Sequence, residues 1–377
     1  MLFRSRPGPL PVAGPGFNNA PIRLEGAITA LRGRLQRLPS LPGGLRPWIT
    51  LASLGFVMAA LIGNARPLLQ LGVDRQGWLW LLIGVGLSLL STVVNGLAWT
   101  SLLRWLGLAP RWEASVAHFM VTNLRKFLPG GIWHLVARLQ ALRRGDGGVG
   151  QPQQASRALL VVVLEPLLAA IAALALVALG GWQGGLGPLA LLPLVLLQPR
   201  WLGPLVRRLE RRKARDLAIG LAAQPDQLPA DRAGATALSA DLSAQVGMPP
   251  LDAAPEPLPG YPWPPLLVAF AFVLLRFAGF ACCVWAFDLQ LSLPWLLWLS
   301  AFALAWTVGL VVPGAPGGLG VFEAALLLRL GRVLPAPQLL AVALSYRLVA
   351  TLGDVLAALL ADLDTRQSAR RSGSASQ

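Results

Sequence analysis

Two apolar segments of the sequence are each interrupted by a cluster of proline and glycine. The first runs from Ala114 to Leu142 with its break at Pro129–Gly131, and the second runs from Ser300 to Leu330 with two prolines and four glycines between Pro313 and Gly320. Hydrocarbon offers no partner to backbone N–H and C=O groups, so a broken helix is tolerated there only where it is buried in protein or lines a wet cavity. Two such breaks, one in each half of the chain, indicate a transporter-type binding site.

The composition is that of a multi-pass membrane protein. Of 377 residues, 55% are hydrophobic and 13% are charged, whereas soluble domains carry about 25% charge. The lysines and arginines behind the net charge of +15 lie in connections between apolar segments, where they set topology and meet anionic headgroups. We therefore expect membrane lipid as the partner, either an anionic phospholipid or a lipid-linked sugar, and no nucleic acid.

Eight apolar segments are long enough, at about 20 residues each, to suggest eight membrane elements, which form two groups: the first four and the last four. They are 48–71, 77–103, the broken 114–142, 155–180, 182–198, 263–287, the broken 300–330 and 338–361. The chain accordingly divides into a disordered basic arm (1–47), a first membrane half (48–199), a basic helix and linker (200–261), a second membrane half (262–363) and a polar tail (364–377).

The positions of arginine predict the topology, because basic connections stay in the cytoplasm. The arm before Trp48, the clusters at Arg143 and Arg200 and the tail after Asp364 all lie inside only if each broken segment dips into the membrane and returns. Each group of four segments then has three crossings and one re-entrant hairpin, which inverts the second group relative to the first. We predict an all-α polytopic helix bundle with an inverted repeat, located in the cell membrane with both termini cytoplasmic.

Arg276 lies about midway along the sixth segment, too deep to reach the interface easily. An ionisable residue at such a depth costs about 2.5–3.5 kcal/mol on insertion scales, so it must face protein or water. Its candidate partners are Glu165, Glu323 and Asp354. A structural ion pair and a site for an anionic headgroup both explain it, and the sequence leaves the two open.

Polar residues flank both breaks and continue into the last segment. Before the first break stand Asn123, Arg125 and Lys126, and after it stand His134 and Arg138. Cations beside the free N–H groups of a broken helix suit an anion, although they also suit an anchor to surface headgroups. In the last segment Arg347 and Asp354 are two turns apart on one face, so each is expected to meet charges from the hairpins rather than the other.

No motif indicates a cofactor or a metal. Neither His118 nor His134 has a cysteine or carboxylate at ligand spacing, and the sequence shows no P-loop, nucleotide fingerprint or nucleophile elbow. We therefore expect any transport to run downhill or on an ion gradient. The candidate proton carriers are Glu165, Glu323 and Asp354.

Three stretches resemble one family: NLRKFLPGGIWHLVAR (123–138), VPGAPGGLGVFEAALLL (312–328) and SYRLVATLGD (345–354). They are similar to the transmembrane, flippase-like domain of lysylphosphatidylglycerol synthases and its stand-alone relatives. The resemblance covers about Trp48 to Leu363 and implies movement of a lipid between leaflets, with the soluble lipid-making domain expected to be absent. It carries over Asn123, Arg125, Pro129, Gly130, Arg138, Pro313, Gly317, Gly318, Gly320, Glu323 and Arg347 as family positions. Apart from Pro129, Gly130 and Pro313, these are the candidate substrate-binding residues, to which residue chemistry adds Lys126 and Arg276.

The predicted function is therefore a lipid translocase or flippase-like transporter for an anionic or modified lipid, whether aminoacyl- or glycosyl-modified. One alternative is a membrane enzyme in polyprenyl-phosphate sugar or phospholipid modification, with Glu323 as general base beside Arg276. Another is an accessory subunit of a cell-envelope or lipid synthase. The residues favour the translocase, because two broken segments and buried charges fit a pathway better than a catalytic centre.

Overall fold

The chain is helical wherever its structure is described. A computed structural model describes residues 62, 72–127, 133–153, 155–180, 189–201, 203–204, 258–288, 293–312 and 316–374, and these contain no strand. Their helices are α1 (Arg75–Trp105), α2 (Trp112–Asn123), α3 (Trp133–Arg144), α4 (Ala155–Gly180), α5 (Leu192–Leu196), α6 (Trp263–Ala286), α7 (Trp295–Val311), α8 (Val321–Leu330) and α9 (Ala336–Ser374). The arm 1–47, the first segment apart from Ile62, and most of the 200–261 linker lie outside these ranges.

Within the described ranges, α1, α4, α6 and α9 are long and apolar enough to cross a membrane. The first of them begins at Asp74, whose carboxylate accepts a hydrogen bond from the N–H of Gly77 at 2.6 Å. That bond pairs one of the donors that the first turn of a helix leaves free. Large apolar side chains such as Leu82, Leu267 and Leu328 are exposed, as side chains that face lipid are.

The first broken segment forms a helical hairpin. Helices α2 and α3 have 12 residues each, about 18 Å at 1.5 Å per residue, which is too short for a hydrocarbon core of about 30 Å. The N–H of Arg111, just before α2, donates to the carbonyl of Gly148, just after α3, at 2.7 Å. The chain thus returns to its starting point, and the break at Pro129–Gly131 itself lies outside the described residues.

The second broken segment also folds back on itself. Helices α7 and α8 pack together through Phe302 and Phe322, whose ring centroids are 5.9 Å apart. They are joined in part by the 3-10 turn Pro316–Gly318, while Pro313 is not described. Long helix, short hairpin and long helix thus follow one another twice, as α1 to α4 and as α6 to α9.

The predicted fold class, an all-α polytopic membrane bundle, is confirmed. Inversion of the second half relative to the first, and the re-entry of each hairpin into the membrane, stay predictions.

Small residues let α1, α6 and α9 approach closely at Ser88. A β-carbon on Gly279 of α6 would lie 2.9 Å from the Ser88 hydroxyl oxygen, and one on Gly353 of α9 would lie 2.7 Å from the Ser88 β-carbon. Such glycines are the usual means of close helix packing in membranes. One turn beyond Ser88 and Gly279 stand Thr92 and Arg276, so this crossing point brings polar side chains of three helices together.

An aromatic cluster fixes α9 against the second hairpin. Tyr346 lies 5.4 Å from Phe302 and 5.5 Å from Phe322 between ring centroids, and Phe280 of α6 lies 5.1 Å from Phe302. Aromatic pairs of this kind contribute about 0.5–1.5 kcal/mol each beyond their buried area. Because Arg347 follows Tyr346 directly, the cluster also sets where its guanidinium lies.

Two segment boundaries differ from those predicted. Helix α9 continues past Ala361 into the polar tail as far as Ser374, where no proline intervenes and an Asp362–Arg366 pair at 2.8 Å joins adjacent turns. The fifth segment, predicted as one span over 182–198, shows only a 3-10 turn and the five-residue α5 in its described part. Pro199 explains the end of α5, because the residue before a proline is disfavoured in the helical conformation.

Candidate functional site

Asp354 is the centre of a buried polar cluster. Its carboxylate accepts hydrogen bonds from Arg276 at 2.6 Å, Lys126 at 2.7 Å, Thr92 at 2.6 Å and Asn123 at 3.3 Å. These donors come from α6, the 3-10 turn Leu124–Phe127, α1 and α2. Of the three carboxylates predicted as partners of Arg276, Asp354 is therefore the one it meets, and two cations share this single acid.

A second ion pair joins Arg138 of the first hairpin to Glu165 of α4. The two side chains approach to 3.1 Å, and only 1% of the Arg138 side chain is exposed. Its guanidinium lies 3.7 Å from the Phe119 ring centroid and donates to the Thr122 hydroxyl at 3.2 Å. A buried cation is tolerable only with such compensation, yet the Nη2 atom of Arg138 has no hydrogen-bond partner among the described residues.

The second break is held by Glu323 and Arg347. Glu323 is buried; one of its oxygens accepts from the N–H of Gly320 at 2.7 Å and the other from Arg347 at 3.0 Å. The acid thus caps the first turn of α8, where a negative charge is favoured. Arg347 also donates to the carbonyl groups of Gly317 and Gly318, so its guanidinium pairs backbone acceptors that the broken helix leaves free.

Glycine is required at position 318 of the second break. Gly318 has φ +72°, a region that side-chain-bearing residues rarely adopt, and a β-carbon there would lie 2.8 Å from the Gly309 carbonyl oxygen. Backbone therefore packs directly on backbone where the chain leaves α7. This close approach positions the carbonyl groups that Arg347 binds.

Residues that flank the first break and Gly317 of the second break line one cavity of about 150 Å³. Phe127, from the first hairpin, lies opposite Gly317 of the second, where an added β-carbon would be 3.4 Å from the phenylalanine ring. The charged residues that line the cavity are Lys126, Arg138, Glu165, Arg276, Arg347 and Asp354. Side chains from both halves of the chain thus form one polar chamber among apolar helices.

Most of the residues predicted as site residues line this cavity. In addition to the charged six, Asn123, His134 and Gly317 do so. Glu323, Gly318 and Gly320 lie behind the lining and support it, while Pro129, Gly130 and Pro313 are outside the described residues. Arg125 is exposed and does not reach the cavity, because successive residues of a 3-10 turn point about a third of a turn apart.

Two residues of the site were not selected from the sequence. Thr92 was not selected, since threonines in membrane helices commonly bond their own backbone, as it also does to the Ser88 carbonyl at 3.1 Å. Asn95, likewise not selected as a site residue, lines the cavity. The signal that finds both is their spacing: three residues apart, they share one face of α1.

One family model matches most of the chain. It is described as the lysylphosphatidylglycerol synthase TM region, and it matches residues 49–358. The match includes both broken segments and the helix that carries Arg347 and Asp354. None of the curated proteins matches the chain.

Proposed function

Since the chain belongs to the lysylphosphatidylglycerol synthase transmembrane-region family, we propose that it is a lipid translocase whose cavity takes the head of an anionic or modified lipid. The coarser statement is established: this is an integral, multi-pass membrane protein of a family tied to lipid modification or transport. The proposal adds movement between leaflets and a lipid head as cargo.

The observation that carries the proposal is the charged cavity lined by residues of both hairpins. Six charged side chains line it, and such residues within a membrane bundle mark substrate or ion pathways. Irregular backbone at membrane depth is tolerated where it lines a wet cavity. Here Gly317 of the second break lines the cavity, and so do Phe127 and His134 on either side of the first break. Discontinuous helices that meet at one polar site are the arrangement through which transporters bind substrates near the midplane.

The alternative of an enzyme has weaker support. A general base needs an acceptor within reach of the proton that it removes, yet Glu165, Glu323 and Asp354 are each engaged by an arginine at 3.1, 3.0 and 2.6 Å. Glu323, the proposed base, also lies behind the cavity wall. Such pairing supports a binding site with fixed charges better than it supports a proton-transfer centre or a proton carrier.

The arrangement in the membrane remains part of the proposal. We place the protein in the cell membrane with both termini in the cytoplasm, because the arginine-rich connections then lie inside. The cavity is then reached through the two hairpins from opposite sides. An accessory role beside a lipid or cell-envelope synthase is compatible with this placement, and the translocase proposal requires activity from the purified chain alone.

A leaflet-exchange assay tests the proposal. Purified protein is reconstituted in liposomes with acyl-labelled fluorescent lipids, and an impermeant quencher is added outside. Wild-type protein should increase the fraction that becomes quenched, whereas Asp354→Asn should reduce the rate because Lys126 and Arg276 lose their shared acid. Arg332→Gln changes an exposed charge outside the cavity and should leave the rate unchanged. Exchange equal to that of empty liposomes for every lipid head would count against a translocase.

A further inference from the structure

The cavity carries a surplus of positive charge. Four cations and two carboxylates line it, and a third carboxylate, Glu323, lies behind Arg347. Glu165 compensates Arg138 and Glu323 compensates Arg347, but Lys126 and Arg276 share Asp354. One positive charge therefore remains without its own acid among the described residues around the cavity.

The exposure of the two side chains shows which of them carries the uncompensated charge into the cavity. Arg276 is enclosed, with 7% of its side chain exposed, whereas 26% of the Lys126 side chain is exposed. Because Arg276 alone can balance Asp354, Lys126 is the cation that can turn toward a ligand. Its ammonium group has three donors, of which Asp354 takes one through a 2.7 Å bond.

Arg138 supplies a second, independent indication of a ligand. Its side chain is 99% buried and lines the same cavity, and its Nη2 atom lacks a hydrogen-bond partner among the described residues. A buried charged donor without a hydrogen-bond partner costs free energy. A ligand that accepts a hydrogen bond from this donor removes that cost, and this favours binding. A phosphate oxygen is such an acceptor, and arginine binds phosphate well.

We propose that the cavity selects a lipid with a monoanionic phosphodiester head, held through its phosphate by Lys126 and Arg138, and disfavours a cationic aminoacyl head. This rests on the proposed translocase function and narrows its cargo. Each carboxylate around the cavity is already paired with an arginine, so the described lining offers no free acid to an ammonium group. An aminoacyl head would instead place its amines beside Lys126 and Arg138, where like charges repel.

The remaining lining suits an uncharged group attached to the phosphate of the lipid head. Asn95 and Thr351 line the cavity and offer hydrogen bonds without charge. By the measure in which one water needs about 10–15 Å³, a volume of about 150 Å³ accommodates a phosphate and a small polyol. A glycerol or sugar head with hydroxyl groups matches these side chains.

Three acyl-labelled lipids that differ only in the head test the selectivity. Phosphatidylglycerol, phosphatidylcholine and lysylphosphatidylglycerol carry monoanionic, zwitterionic and net cationic heads. In the leaflet-exchange assay the first should move roughly tenfold faster than the third, as one lost charge-assisted contact predicts. Lys126→Gln should reduce that preference to roughly threefold or less, whereas Arg332→Gln, an equal charge change on an exposed residue, should keep it. Equal or faster exchange of the cationic lipid by wild type would overturn the selectivity while leaving the translocase proposal intact.

A binding measurement separates this inference from the function on which it rests. The full chain in uncharged detergent is titrated calorimetrically with inorganic phosphate and, separately, with short-chain phosphatidylglycerol. Binding of either that weakens about tenfold in Lys126→Gln supports a phosphate site even if exchange fails. Binding of phosphate alone would identify a free anion as the source, and binding of the lipid alone would show that its acyl chains contribute. If Lys126→Gln, with an unchanged melting temperature, binds both probes as wild type does, the inference is wrong.

Discussion

The Nζ atom of Lys126 lies 2.7 Å from the Oδ2 atom of Asp354, although 228 positions separate the two residues in the chain. Lys126 stands three residues before the first break, and Asp354 stands in the last long helix. Their contact, with that of Arg347 to the Gly317 and Gly318 carbonyl groups, ties both hairpins to one helix. Helix α9 therefore contacts the described residues of the first hairpin and the second break at the same time.

Asp354→Ala should destabilise the protein strongly. It leaves Arg276 and Lys126 without their shared acid, and removing one member of a buried ion pair typically costs about 3–5 kcal/mol. Thermal unfolding in detergent, followed by intrinsic fluorescence, measures the effect. Asp362→Ala is the matched control, because it removes a partly exposed acid of the same helix whose pair with Arg366 is worth about 0.5 kcal/mol or less. Similar losses of stability in the two variants would show that the buried cluster contributes no more than the Asp362–Arg366 pair.

Arg138 and Glu165 should be energetically coupled. Arg138→Met strands a buried acid, Glu165→Gln strands a buried cation, and the double variant removes both charges. A double-mutant cycle on unfolding free energy should give about 1–3 kcal/mol of coupling, the range for residues in direct contact. Coupling near zero would contradict the 3.1 Å pair that joins the first hairpin to α4.

Gly318→Ala should damage the second hairpin. The added methyl group would lie 2.8 Å from the Gly309 carbonyl oxygen, and the backbone has φ +72°, so both space and conformation oppose it. A loss of roughly 2–3 kcal/mol in stability is expected, with slower leaflet exchange. Gly86→Ala in α1 is the control, since its β-carbon meets nothing within 4 Å and alanine favours a helix interior by up to about 1 kcal/mol. Equal behaviour of the two variants would rule out the close contact of Gly318 with Gly309.

Glu323→Ala should slow lipid exchange without removing any residue that lines the cavity. The acid holds Arg347 at 3.0 Å and caps the Gly320 N–H at 2.7 Å; its loss releases the guanidinium that supports the second break. We expect a decrease of about tenfold, partly restored in Glu323→Gln, which keeps an acceptor. Glu113→Ala, the loss of an exposed acid in the first turn of α2, should have no effect on exchange. An exchange rate that is unchanged in Glu323→Ala would show that Glu323 does not support the site.

Much of the candidate site was predictable because an ionisable residue in an apolar segment is energetically costly unless it faces protein or water. Arg276, Glu165 and Asp354 were selected on that ground, and all three line the cavity. The same rule cannot separate Arg125 from Lys126, because both flank the break and only the turn that contains them decides which one points inward. Nor can it find Thr92, whose hydroxyl is satisfied within its own helix whether or not it also donates to Asp354.

The sequence alone determined the helical class, the long apolar segments and the places where helices must break, because these depend on local hydropathy, chain length and the conformations open to proline and glycine. Only the tertiary structure decided that Arg276 pairs with Asp354 rather than with Glu165 or Glu323, and that Lys126 shares this acid. Partner choice depends on the distance between helices far apart in the chain. Here that distance is set by the glycines that pack against Ser88.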